Sequence, residues 1–302
     1  MKRAALILGI LSFAIGAEAQ ASTQTAQQYP AAGGQSATQP TSAQGGAQNA
    51  TQGAAAPAAK RPPQAKTQPE FDAYKAAAAT TDPAALEKAS EDFATKFPDS
   101  ELRVLLYKNA MRLYQNSNNS DKTEAMGRKV LSFDGDDPEA LVIVAEVIAE
   151  RTRDSDIDKD QRFSEAASMA QKATQTIDTD VQVPPGTPQD KLDAYKGMMR
   201  SQAYSILGTI DFKKENYAAA EQNLQKSIDA YPSDPDKVVV LRLALTLDKE
   251  QKYPEALKVA NRAVEMTQDN TPIGTPARHE RDRLQQLTGG AAPAQTQTPP
   301  KN

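Results

Sequence analysis

The side chains with the clearest chemical potential are a series of acids in the middle of the chain. Asp154, Asp156, Asp158 and Asp160 alternate along the sequence, and Glu165 occupies the twelfth position counted from Asp154. Alternating carboxylates can direct their oxygen atoms at one hard cation, and a terminal glutamate can bind it with both of its oxygens. A calcium site is therefore one interpretation of this spacing.

The same segment resembles the calcium loop of EF-hand proteins, but two positions depart from that pattern. Lys159 occupies the sixth place, where the sharp turn needs a glycine, and Gln161 occupies the apolar eighth place. A lysine enters the required backbone conformation with difficulty. The alternative, a solvated turn of mixed charge, is the one we expect, so no cofactor is predicted.

Catalysis by other side chains is strongly restricted by composition. The chain has no cysteine and a single histidine, His279, which excludes thiol nucleophiles, disulfides and thiolate metal sites. An alternative function is that of an envelope hydrolase that uses carboxylates such as Glu146, Glu150 and the Asp154 series. Such an enzyme would need a closed pocket and a carboxyl group with a raised pKa.

The elements that must position these side chains are predicted to be helices. The sequence shows no sustained alternation of apolar and polar residues. Oxygen-bearing residues recur directly before prolines, an arrangement typical of a helix N-cap followed by the first helical position. The predicted start signals are Asp82-Pro83, Asp137-Pro138, Thr187-Pro188, Asp234-Pro235 and Thr275-Pro276.

These helices form a repeat. Residues 201–234 contain Tyr204-x2-Leu207-Gly208, then Asn216-Tyr217-x2-Ala220-x3-Leu224-x2-Ser227-Ile228, then Pro232. A matching register follows at Tyr253-x2-Ala256-x3-Ala260, and another precedes it at Phe163-x2-Ala166-x3-Ala170. This pattern resembles the tetratricopeptide repeat (TPR), in which small residues let paired helices approach and an aromatic residue fills the space near the turn.

The resemblance implies an all-α fold. We expect an α-solenoid of about four to five TPR-like helix pairs, with a C-terminal capping helix over about 275–287. Two insertions interrupt the repeat. One extends the turn around 152–162, and the other, around 179–189, precedes an unusually long helix and is expected to bend or break the stack.

The resemblance also places a partner-binding surface on the concave face, which the first helix of each pair lines in TPR proteins. The partner is expected to be a protein or peptide segment, and the alternative is a face that is merely solvated. The predicted binding residues, carried over by register, are Lys108, Arg112, Val142, Glu146, Ser205, Thr209, Phe212, Leu241 and Leu245.

The first 19 residues are predicted to be a cleavable signal peptide. Lys2 and Arg3 precede a short apolar run over 4–15, and Ala17-Glu18-Ala19 is a small-residue cleavage pattern. The run is too short to span a bilayer, so the mature chain is expected to lack a transmembrane segment. We therefore expect a periplasmic or secreted protein.

The rest of the chain divides by composition. Residues 20–66 have no Leu, Ile, Val, Met or Phe and are predicted to be a disordered tether rich in alanine and glutamine. Residues 67–290 are the predicted helical domain, and 291–302 a disordered tail. Of the 35 basic and 39 acidic residues, six bases and one acid lie outside 67–290, which leaves 29 bases and 38 acids inside. That balance argues against a nucleic-acid partner. The function expected is that of a non-enzymatic scaffold in the cell envelope.

Overall fold

The computed structural model describes residues 60–183 and 186–289, all within one compact unit. These residues form helices and no strands, which confirms the predicted all-α fold. In chain order the helices are α1 (Gln68–Ala78), α2 (Pro83–Lys96), α3 (Arg103–Asn116), α4 (Ser120–Phe133), α5 (Pro138–Arg151), α6 (Lys159–Asp180), α7 (Gln189–Lys213), α8 (Tyr217–Ala230), α9 (Lys237–Lys249), α10 (Tyr253–Glu265) and α11 (Gly274–Thr288).

Consecutive helices pack as pairs, and each pair packs on the next. Five pairs, from α1–α2 to α9–α10, are followed by α11, which packs mainly against α10 and covers the end of the stack. The predicted α-solenoid of TPR-like pairs with a final capping helix is therefore confirmed.

Two of the predicted helix starts are confirmed in full. The carboxylate of Asp82 accepts a hydrogen bond from the backbone N–H of Ala85 at 2.8 Å, and that of Asp137 accepts one from Ala140 at 2.9 Å. In both helices a proline occupies the first position. The side chain therefore satisfies an N–H group that has no partner within the helix.

The predicted start of α9 was wrong by two residues. Asp236, and not Asp234, is the N-cap residue, and its carboxylate accepts from the N–H of Val238 at 2.7 Å. Asp234-Pro235 lies in the preceding turn. Asp234 and Asp236 both precede the apolar run of α9, and Asp236, the nearer of the two, is the N-cap residue.

The starts of α7 and α11 were also misplaced. α7 begins at Gln189 with Pro188 as its N-cap residue, so Thr187 does not cap it. α11 begins at Gly274, before Thr275, and neither helix has a side-chain cap bond. The proline in each case lies at the start of a helix, but its neighbouring hydroxyl does not act as the cap.

The small residues of the repeat occupy the contacts within each pair. Ala166, Ala220 and Ala256 are completely buried. At Gly208 a β-carbon would lie 2.7 Å from Cγ of Leu224 on the partner helix, closer than real β-carbons pack. α7 and α8 are therefore held together at a separation that only a glycine permits here.

The stack continues across the second insertion. Both α5 and α6 contact α7, and Ala203, Ile206 and Ile210 of α7 share one hydrophobic cluster with those two helices. The expected break is thus absent from the described residues. α6 and α7 have 22 and 25 residues, compared with 14 in α5 and α8, so the insertion lengthens two helices that still pack together.

Most residues outside the helical stack lie beyond the described part of the chain. The predicted signal peptide (1–19), tail (291–302) and most of the predicted tether (20–66) are among them. The last seven tether residues, 60–66, are described and contact the turns of the stack. Among the described helices, none combines the length and apolar character needed to cross a membrane.

Candidate functional site

The first helix of each pair faces the inner side of the stack. α1 contacts α3, α5 contacts α7, α7 contacts α9 and α9 contacts α11, whereas no comparable contact joins two even-numbered helices among the described residues. Odd-numbered helices therefore lie closer together than even-numbered ones. This places α3, α5, α7 and α9 on the concave face, as the sequence predicts.

A cluster of paired charges lies on this face between α3 and the start of α5. The Nζ atom of Lys108 lies 2.5 Å from Oδ2 of Asp137 and 3.3 Å from Oε2 of Glu139. Arg112 donates two hydrogen bonds to Glu139, from Nε to Oε1 at 2.5 Å and from Nη2 to Oε2 at 2.6 Å. We call Lys108, Arg112, Asp137 and Glu139 the ionic cluster.

The protonation states of the ionic cluster are fixed by its internal pairing. Burial would raise the pKa of Glu139, but the charges of Arg112 and Lys108 outweigh burial and lower that pKa to about 2. Burial would likewise lower the pKa of Lys108, yet Glu139 and Asp137 raise it. Lys108, Arg112 and Glu139 therefore stay charged near neutral pH.

Tyr195 of α7 completes the surroundings of this cluster. Burial, followed by the negative charge of Glu139, raises the pKa of its hydroxyl above the ordinary value. The charged neighbours of this α7 residue thus include Glu139 of α5 and Arg112 of α3. Sequence reasoning did not select it, because its position falls in the insertion-lengthened part of α7, where the repeat register offers no reference.

The structure places three of the predicted binding residues inside the protein. The Lys108 side chain is 8% exposed, and Val142 and Leu241 are 2% and 8% exposed. Val142 and Leu241 belong to the hydrophobic clusters between helices. This corrects the predicted surface, because a partner on the concave face would meet little of these three side chains.

The remaining predicted residues are accessible to different degrees. Arg112 is partly exposed but paired with Glu139, and Glu146 and Ser205 are half-buried. Glu146 also takes part in interactions within the protein. The charged residues of the predicted surface, Arg112 and Glu146, are thus already held in interactions within the protein.

The apolar end of the predicted surface is more open. Phe212 of α7 and Leu245 of α9 are half-buried and pack against the same hydrophobic cluster. One turn before each of them, Thr209 and Arg242 are joined by a hydrogen bond of 2.7 Å from the guanidinium to the hydroxyl. We call Thr209, Phe212, Arg242 and Leu245 the Phe212 patch.

Phe212 is held in place by its neighbours. Its ring meets that of Tyr217 edge to face, with centroids 5.8 Å apart. Thr209 donates to the carbonyl of Ser205 at 2.7 Å, so its hydroxyl both donates and accepts. Sequence reasoning missed Arg242, although its position three residues before Leu245 puts it on the same side of the helix.

The carboxylates of the acidic series, Asp154 to Asp160 with Glu165, do not point at one common position. Asp156 accepts a hydrogen bond from the backbone N–H of Arg153 at 2.8 Å, and Asp154 lies 3.7 Å from the Lys159 ammonium. Glu165 lies within α6 and binds Arg128 at 2.6 Å. In the described part of the chain, no group of three or more acidic or histidine side chains is placed to hold a metal ion.

The reason lies in the length of the loop. Only residues 152–158 are outside helices, and α6 begins at Lys159, so Asp160 and Glu165 point outward from a helix instead of folding back around a cation. Ile157 at the loop is fully exposed. In the described residues the segment is a largely exposed turn of mixed charge.

Two acids named for the hydrolase alternative, Asp154 and Asp160, line an open cavity. Two open cavities of about 230 and 480 Å³ adjoin the inserted loop, and both are lined mainly by charged side chains of mixed sign.

No protein-family model and no curated protein matches this chain. Several solved structures have a similar arrangement of helices. One is MamA, with 16% identity, a TM-score of 0.45 and coverage of 65% of this chain and 88% of MamA. A second is PilF of Pseudomonas aeruginosa, with 17% identity, a TM-score of 0.46 and coverage of 74% of this chain and 96% of PilF. A third is YrrB, described as a TPR protein with an unusual peptide-binding site. It has 18% identity, a TM-score of 0.44 and coverage of 66% of this chain and 85% of YrrB. At these identities and scores the likeness concerns the fold alone, and the assignment to TPR-like pairs rests on the packing described above.

Proposed function

We propose that this protein is an exported, non-enzymatic scaffold that binds a protein or peptide segment along its concave face. The observation that carries the proposal is the Phe212 patch, where an aromatic and a leucine side chain remain half-exposed on neighbouring first helices. Half-exposed anchors surrounded by polar groups are a common feature of protein interfaces.

The chemistry of the patch suggests what the segment presents to it. Phe212 and Leu245 provide an apolar surface, and the Thr209–Arg242 pair borders it with a polar rim. An apolar side chain of the partner would be buried between Phe212 and Leu245. The ionic cluster contributes by joining α3 to the start of α5 and only secondarily by direct contact.

Export is part of the same proposal. It is supported by the charged start at Lys2 and Arg3, the short apolar run over 4–15 and the Ala17-Glu18-Ala19 pattern. The absence of cysteine is compatible with folding outside the cytoplasm without redox machinery. Mass spectrometry of the native protein tests this part: a mature chain that begins at Gln20 supports export, and an intact Met1 contradicts it.

The binding proposal is tested by capture of partners from envelope extract with the mature chain, followed by calorimetry on the identified partner. Phe212→Ala and Leu245→Ala should each weaken binding by about tenfold or more, because both remove apolar contact at the centre of the patch. The matched control is Leu257→Ala on α10, a partly buried leucine on a second helix. It should leave affinity within about threefold of the parent.

Thermal unfolding of each variant ensures that the compared proteins are folded at the assay temperature. If Leu257→Ala abolishes binding while Phe212→Ala and Leu245→Ala bind like the parent, the concave face is not the binding surface.

A further inference from the structure

Residues 60–66 precede α1, are not helical and contact the first three helix pairs, and we call them the basic strap. The backbone N–H of Lys60 donates to the carbonyl of Thr179 at the end of α6, at 3.0 Å. The Lys60 ammonium pairs with Asp134, which follows α4, and lies 3.7 Å from Asp180. One residue thus contacts two turns that are far apart in the sequence.

Arg61 binds a third turn. Its guanidinium donates to both carboxylate oxygens of Glu101, from Nη1 at 2.9 Å and from Nη2 at 2.5 Å, and Glu101 precedes α3. The N–H of Gln64 donates to the same carboxylate at 3.2 Å. Glu101 therefore accepts hydrogen bonds from both a basic side chain and a backbone N–H group of the strap.

The strap then joins the stack. The N–H of Lys66 donates to Glu70 at 2.7 Å, and Glu70 is itself buried and hydrogen-bonded by the hydroxyl of Ser100. Between these two anchoring points lie Pro62 and Pro63. Prolines favour an extended backbone, so this segment loses little conformational entropy when it binds.

The receiving surface is built from three separate parts of the stack. Glu101 and Asp134 belong to the connections before α3 and before α5, and Asp180 is the last residue of α6; we call these three acids the acidic edge. The hydrogen bonds from Arg61 lower the pKa of Glu101, as expected for a carboxylate that is matched by a bound cation. The three acids are brought together by the stacking of the first three helix pairs.

We propose that the acidic edge is a second peptide-binding surface, distinct from the concave face, for an extended segment with two adjacent basic residues followed by prolines. In the resting protein the chain's own strap fills it. Arg61 and Lys60 are substantially exposed, and exposed ion pairs are individually weak. The strap can therefore leave the edge without unfolding a helix, and a segment of the same chemistry can replace it.

The test uses the full mature chain and a fluorescent synthetic peptide with the sequence of residues 59–66. Tethering gives the strap a high effective concentration, so the parent protein should bind the free peptide poorly. Lys60→Glu/Arg61→Glu should expel the strap by charge repulsion and leave the acidic edge empty. Fluorescence anisotropy should then show at least about tenfold tighter binding of the peptide to this variant than to the parent.

Two further variants make the outcome specific. Lys249→Glu/Lys258→Glu changes the net charge equally at two exposed lysines of α9 and α10, and it should bind the peptide like the parent. Addition of Glu101→Gln and Asp134→Asn to the strap variant should remove at least about tenfold of its affinity. Circular dichroism confirms that each variant remains helical.

The proposal is overturned if the peptide binds the parent and the strap variant equally, or if it fails to bind the strap variant. It is also overturned if neutralising Glu101 and Asp134 leaves the affinity unchanged. None of these outcomes depends on the concave face, so the two proposed surfaces are tested independently.

Discussion

Arg112 of α3 and Glu139 of α5 face each other in two parallel hydrogen bonds of 2.5 and 2.6 Å. The pair joins the second and third helix pairs across the concave face, and the Glu139 side chain is only 12% exposed. Two-point contacts of this kind fix the orientation of both groups. Arg112 therefore acts first as a structural residue, although its place in the repeat predicts a binding role.

Removal of this guanidinium should destabilise the protein. Arg112→Ala leaves Glu139 buried with Lys108 as its remaining cationic partner, and we expect the free energy of unfolding to fall by roughly 2–4 kcal/mol. The control is Arg128→Ala, which breaks an exposed pair with Glu165 and should cost about 1 kcal/mol or less. Urea denaturation of both variants measures the difference. Equal losses would show that the burial of Glu139 has no energetic consequence.

The lowered pKa of Glu139 predicts acid sensitivity. In the folded chain its pKa is about 2, and in the unfolded chain it should be near its ordinary value of about 4.3. Its contribution to stability is complete above that unfolded value and is lost as the pH falls from about 5 towards 2. The contribution is at most roughly 3 kcal/mol.

Glu139→Gln provides the test of that pH dependence. The variant should be less stable at pH 7, and its stability should change less than that of the parent between about pH 5 and 2. Urea midpoints measured across this range give both slopes. Parallel curves for the two proteins would mean that another group causes the acid sensitivity.

The packing within helix pairs predicts a contrast between two neighbouring alanines. Ala220 is completely buried between α7 and α8, whereas Ala218 is exposed. Ala220→Leu should lower the free energy of unfolding by roughly 1–3 kcal/mol, because the added atoms force the helices apart. Ala218→Leu should change it by less than about 0.5 kcal/mol. Equal melting shifts would contradict the packing described for this pair.

The turns within pairs contain residues in a strained backbone conformation. Glu215 and Gln251 have φ angles of 61° and 62°, in the left-handed region that favours glycine. Glu215→Gly and Gln251→Gly should each raise the free energy of unfolding by up to about 1 kcal/mol. Lys258→Gly, in the middle of α10, should instead lower it by about 1 kcal/mol. Thermal melts distinguish these opposite signs.

Much of the fold is predictable from the sequence because it depends on local spacing. The small residues at Gly208 and Ala220 indicate close helix pairing, and Asp82 and Asp137 before prolines indicate helix starts. The cap at Asp236 was missed because two acids were available near the same apolar run. Local pattern alone does not decide between them.

The candidate site was less predictable, because its properties depend on contacts between distant residues. The register identifies Lys108 and Arg112 as first-helix residues but gives no information about their pairing with Asp137 and Glu139, 29 and 27 residues away. The strap contacts were missed for the same reason, since Lys60 meets Asp134 only after the pairs are stacked. Phe212 and Leu245 stay half-buried, whereas Leu241, an apolar residue of the same register, is buried, so the register alone does not separate surface apolar residues from core ones.

The basic strap also has a consequence for how the protein unfolds. In a stack of helix pairs each pair contacts only its neighbours, so unfolding can begin at either end and proceed pair by pair. The strap is bonded to Glu101 and Asp134 in two connections and to Thr179 near the end of α6, and it therefore couples three parts of the stack that successive pairs alone would leave independent. The first three pairs should consequently open as one cooperative unit, while α11 and the last pair fray separately. Amide hydrogen exchange would show this as a shared opening rate across α1–α6, which divides into separate rates when Lys60 and Arg61 are reversed in charge.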